Sequence, residues 1–169
     1  MPVGEATITL ENVATLSGLP IDSEGVIVDI PDREWSETCV RLLGHTPSDL
    51  RGGVVRISWL REHFNNMPPN ASSEITEQFA RAYALSLMGC MLFPDRTRAT
   101  VHLQYLLLLE NWRIAGGYAW GAAVLAYLYS EMGRSVLHMT QSSSNVSTSK
   151  PHHPRTIVIL MLQASNLPD

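Results

Sequence analysis

Apolar residues recur along most of this chain at helical spacing, and glycines or prolines separate one such stretch from the next. Glu5–Leu10 reads as a short strand running into a helix, with Thr9 placed to cap it by accepting a backbone N–H bond. Leu10, Val13 and Leu16 then share one face, Gly18 stops the helix and Pro20 prevents its return. Val26–Ile30 is rich in β-branched residues, so it and Thr7–Thr9 predict a small N-terminal β-ribbon, which is marginal without helices packed on it. A second helix follows Pro31-Asp32, with Trp35, Cys39, Leu42 and Leu43 on one face and Gly44 at its end. Gly52-Gly53 marks a loop, a third helix covers Ile57 to about Asn65, and Met67-Pro68-Pro69-Asn70 breaks the chain.

The fourth helix has the clearest signals. Ser72 or Ser73 caps it, Glu74 and Glu77 suit the positive end of its dipole, and Ile75, Phe79, Ala82, Tyr83, Leu87 and Cys90 form the expected core stripe. Pro94 closes it. Thr100–Asn111 predicts a fifth helix buried all round at Leu106–Leu109. Tyr118–Met132 predicts a sixth, whose Gly121, Ala122, Ala123 and Ala126 suit close approach of another helix and so the centre of a bundle. Thr140–Lys150 is almost entirely Ser, Thr, Asn and Gln, too polar to offset its ordering entropy by burial, and leads to the β-prone run Thr156–Leu162. The expected architecture is mainly α: a single helical bundle-like domain over 1–139 with the N-terminal ribbon, then a low-complexity linker and disordered tail over 140–169.

Composition narrows the function. With 45% apolar and 17% charged residues in 169, the chain suits one globular domain. Its net charge is −4, and residues 1–139 hold ten arginines, no lysine and fifteen acids, net −5. Neutralising phosphates supplies most nucleic-acid affinity, so the overall charge gives nucleic-acid binding no support. Arg96 and Arg98 are the one local basic pair singled out, with a solvated loop as the plainer reading. Cys39 and Cys90 sit in apolar helical patterns, as buried free thiols do. No apolar stretch reaches the roughly 18 residues that span a bilayer.

Candidate chemistry is sparse. Neither cysteine has metal-ligand spacing with His45, His63, His102 or His138, and His152-His153 lies between prolines in the polar segment. There is no Gly-x-Ser-x-Gly elbow and no Gly-Lys phosphate loop. A pyridoxal-phosphate enzyme needs a lysine for its Schiff base, and the only lysine is Lys150, in the linker. Glu110 reads as an ion pair with an arginine rather than a general acid, and Asp95 as the cap of the next turn. Tyr118 and Trp120 are a candidate binding face, with core packing as the alternative. A cryptic hydrolase would need a polar cleft that the sequence does not show. No catalytic, cofactor or metal residue is expected; the candidate interaction surface is Tyr118, Trp120, Arg96 and Arg98.

Several stretches in order carry a family resemblance: Gly4–Val13 with Leu16–Ile21, Trp59-Leu60, Arg81-Ala82-Tyr83, Leu92-Phe93-Pro94-Asp95 and Tyr118–Tyr129. Over about residues 3–135 the chain resembles the plant mobile domain, the family of the MAIN-like (maintenance of meristems) proteins, of long-form phosphatase 7 proteins and of plant transposable elements. The resemblance implies a nuclear plant protein without catalytic residues or cofactor, linked to meristem maintenance, genome stability and transposon silencing. It implies a protein partner, either a phosphatase-7-like protein or another MAIN-like protein. The family's "aminotransferase-like" label sits badly with the missing lysine. Relative to the family pattern, the domain is expected to be truncated at both ends. The function expected is a non-catalytic protein-interaction module; a nucleic-acid-binding remnant of a transposon protein is the alternative.

Overall fold

The computed structural model describes residues 7–26 and 34–142, the last seven of them as backbone only. The expectations for Glu5-Ala6, for Ile27–Ile30 and for the tail from residue 143, its disorder included, lie outside the described residues. The described chain is mainly helical, as the apolar periodicity predicts, and it divides into two compact units.

The first unit joins residues 7–26 to residues 117–142. Helix α1, Leu10–Ser17, starts and stops where its capping residues dictate. The Asn12 N–H donates to Thr9 Oγ1 at 3.2 Å, the Thr9 N–H donates to Asn12 Oδ1 at 3.1 Å, and Gly18 ends the helix with φ 67°. Helix α7, Trp120–Ser142, packs against α1. Its first turn is satisfied by main chain: Gly121 N–H donates to Pro20 O and Ala119 N–H to Glu24 O, each at 2.9 Å. A Cβ on Gly121 would lie 2.7 Å from Ile21 Cγ2 and 3.1 Å from Pro20 O. The small residue therefore admits the 19–21 loop, and α7 is not the centre of a bundle.

The second unit covers 34–116. It contains α2 (Trp35–Leu43), β1 (Val54–Arg56), α3 (Ile57–His63) and α4 (Ser73–Leu87), the last running into a π-helical turn at Met88–Leu92. It continues with β2 (Thr100–His102), α5 (Gln104–Leu108) and α6 (Trp112–Gly116). Ser72 caps α4 by accepting from the Ile75 N–H at 3.3 Å, and Gly44 ends α2. Leu43, Leu60, Leu85, Leu103 and Leu106 are fully buried and make its core.

Two features of the expected fold are corrected here. The β-ribbon is not N-terminal: Thr7–Thr9 is extended but unpaired as a strand, and the sheet is β1 antiparallel to β2, with Val55 opposite Val101. The helices do not form a bundle. In the second unit α3 and the π turn pack on that sheet while α2, α3 and α5 pack on α4, and in the first α7 packs on α1 and on an irregular loop. The fifth helix expected over Thr100–Asn111 is split into β2, α5 and the start of α6, which Asn111 caps by accepting from the Arg113 and Ile114 N–H groups. The π turn has its own reason: a Cβ on Gly89 would lie 2.6 Å from Val101 Cβ, so only glycine lets β2 lie this close.

Candidate functional site

The residues singled out from sequence fall into both units, and each unit is described by itself. In the first unit Trp120 is buried at the start of α7, with Tyr118 half-buried and edge-on to it at 5.7 Å between ring centroids. In the second, Arg96 and Arg98 are exposed on the turn before β2, Arg98 with φ 52°. Asp95 organises that turn, accepting from the Thr97 hydroxyl at 3.0 Å and from the Thr100 hydroxyl. Partial burial raises its pKa, but the Thr100 and Thr97 hydroxyls and the Arg98 and Ala99 N–H groups outweigh this and hold the carboxyl below its usual value. A carboxyl with a depressed folded pKa contributes stability that is present above its unfolded pKa, about 3.9, and lost as pH falls through the folded value. Asp95→Asn is therefore expected to flatten the acid limb of the stability–pH curve below about pH 4, read by thermal melts from pH 2 to 6, with no change in its shape above pH 5.

Several ionisable groups of the second unit are tied into its fold. Glu110 pairs with Arg41, both half-exposed. Arg81 is buried and acts as a cap on another helix: its Nε donates to Leu109 O at 3.0 Å and its Nη2 to Glu110 O at 3.2 Å, at the C-terminal end of α5. The same Nη2 meets Glu77 Oε2 at 2.7 Å, and the guanidinium lies 5.9 Å from the Trp112 ring centroid. Cys39 is buried and its thiol is pushed up to about 11 by desolvation. His63 stacks on Trp59 at 4.5 Å, and Phe64 meets Phe79 edge-on at 5.2 Å, with His45 near both His63 and Phe64. Among the described residues no three metal-ligating side chains come together, and no helix is long and apolar enough to cross a membrane.

Open apolar surface is the more developed feature, and the sequence pattern did not locate it. On the second unit Tyr83, Leu87 and Met91 are exposed at 69%, 38% and 72% along α4 and the π turn, in line with exposed Thr76 and Ala80. Successive members are three or four residues apart, so they make one uncharged stripe. Tyr83 and Leu87 lie on the apolar stripe that the sequence predicts for α4, but that stripe is not the face it buries. The buried face is instead Arg81, Ala82, Leu85, Met88 and Gly89. On the first unit an open groove of about 550 Å³ runs between α1 and α7, lined by Ile8, Val13, Leu16, Val124 and Leu128 with Thr7, Asn12, Thr15 and Ser17. Leu16, expected on the core face of α1, is 86% exposed there.

A mainly helical module with exposed apolar faces is the class this structure defines. The chain belongs to the plant mobile domain family, whose profile matches residues 1–152. It is 43% identical over 135 residues to protein MAIN-LIKE 2 of Arabidopsis thaliana, covering 79% of this chain and 20% of that protein. It is 39% identical over 136 residues to the Arabidopsis protein MAINTENANCE OF MERISTEMS, covering 79% of this chain and 28% of that one. A serine/threonine-protein phosphatase 7 long form homolog of the same plant is 37% identical over 137 residues, 80% of this chain and 10% of that protein. The chain thus spans less than a third of the length of these relatives. No solved structure matches it. The stretches behind the resemblance hold the fold together: Leu60 is buried, Arg81 caps α5, Phe93 stacks on Tyr105 at 5.0 Å, Asp95 organises its turn and Gly121 admits the 19–21 loop.

Proposed function

We propose that this chain is a non-catalytic protein-interaction module of a nuclear plant protein, serving meristem maintenance, genome stability and transposon silencing. The observation that carries the reading is the exposed stripe Tyr83, Leu87 and Met91. Aromatic and methionine side chains are enriched at the centres of protein interfaces and charges are depleted there, and the stripe has that composition. The proposed partner is a phosphatase-7-like protein or another MAIN-like protein, which supplies an apolar groove for one face of a helix.

Immobilised full chain is expected to capture a phosphatase-7-like protein from plant nuclear extract. Tyr83→Asp combined with Met91→Asp is expected to reduce that capture at least tenfold, about 1.4 kcal/mol or more of binding free energy, while circular dichroism stays unchanged. Equal capture by the two forms would remove the stripe from the account. The nucleic-acid alternative rests on the exposed pair Arg96 and Arg98. It requires DNA binding that weakens steeply with salt and is lost in Arg96→Ala with Arg98→Ala.

A further inference from the structure

The groove on the first unit has features of its own that point to an occupant. It is concave, its lining carries no charged side chain, and at its mouth Leu16 projects almost fully into solvent. A pocket of about 550 Å³ is of the size that holds several side chains. The chain beyond α7 supplies a run that needs such cover. Ile157-Val158-Ile159-Leu160-Met161-Leu162 is six consecutive apolar residues without a charge, more than a chain leaves in water without a purpose. Residues 143–156 between Ser142 and this run are mostly polar, as a tether is.

The distances close. Returning from Ser142 to the level of Leu128 along α7 takes about 21 Å at ~1.5 Å per helical residue. Residues 143–156 extend to about 46 Å at ~3.3 Å each, so the run reaches the groove with chain to spare. A tether of this length also holds the run at an effective concentration of order mM beside its own groove, ahead of a second copy at ordinary protein concentrations. We propose that residues 157–162 seat in the α1–α7 groove of the same molecule and cover Leu16, so that the C-terminal segment completes the apolar core of the first unit.

The test uses the full chain with a photo-crosslinking p-benzoylphenylalanine in place of Leu16, a position exposed enough to accept it. Irradiation is expected to give a crosslink within the monomer to the peptide that contains residues 157–162. Crosslinks to that peptide only in a dimer, or only to other peptides, or none, overturn the proposal. A second measurement does not depend on the photoprobe. Ile159→Asp with Leu160→Asp, both outside the described fold, is expected to speed amide exchange across Leu10–Ser17 at least fivefold while leaving α4 unchanged. Unchanged exchange in α1 overturns the proposal as well.

Discussion

Arg81→Ala is expected to lower the unfolding free energy by about 3 kcal/mol, the combined cost of removing the donor to one buried carbonyl, Leu109 O, and one part-buried carbonyl, Glu110 O. Among the described residues Arg81 is the sole buried charged one, and its Nε and Nη2 both have acceptors there. Nε meets Leu109 O, Nη2 meets Glu110 O and Glu77, and the plane approaches Trp112. The order of effects separates these parts. Glu77→Ala is expected to cost under about 1 kcal/mol, because its side chain is 46% exposed and a solvated pair is worth little. Arg81→Lys keeps the charge near Glu77 but cannot serve both carbonyls from a rigid fork, so an intermediate loss is expected. Urea denaturation of the three variants reads the series. A loss for Glu77→Ala equal to that for Arg81→Ala would show the ion pair, and not the helix cap, to be the stabilising contact.

Gly89→Ala is expected to cost about 2 kcal/mol, the scale of overpacking in a close-packed interior. The new Cβ would stand 2.6 Å from Val101 Cβ, which is bonded to the backbone and cannot rotate away, and 3.1 Å from Ile57 Cδ1 at the end of its side chain. Relief requires β2 to move away from the π turn, which strains its pairing with β1. Val101→Ala is not expected to rescue the variant, because alanine keeps the Cβ that makes the closest contact. Differential scanning calorimetry of the single and double variants checks this. Full rescue by Val101→Ala would place the contact at the valine methyl groups instead.

Helix boundaries were legible wherever one residue type has one local reason to be there. Thr9 and Gly18 bracket α1, Gly44 ends α2 and Ser72 caps α4, all as short-range chemistry dictates. The sheet was not legible in this way. Val54–Arg56 and Thr100–His102 are three residues each, far apart in sequence, and no tight turn joins them; β2 packs on the π turn and β1 on α3. Thr100–Asn111 read as one helix because its apolar run has no breaker, although Asn111, a good cap, marked the start of another.

The surface stripe was missed for a different reason. A core-facing position of α4 is held by an arginine, so the true buried face looked too polar. Of the apolar stripe predicted through Ile75, Phe79, Ala82, Tyr83, Leu87 and Cys90, only Ala82 is buried. Likewise Leu16 matched the helical period of α1 yet faces an open groove. Periodicity identifies an apolar face; it does not say whether the chain's own core or another surface covers that face.

The most direct test of the interaction reading is a titration of purified phosphatase-7-like protein into the full chain, followed by calorimetry. Binding weakened at least tenfold by Tyr83→Asp with Met91→Asp, and unchanged by Arg96→Ala with Arg98→Ala, is the result the account predicts. No binding by the folded wild-type chain, or binding indifferent to Tyr83 and Met91, would contradict it.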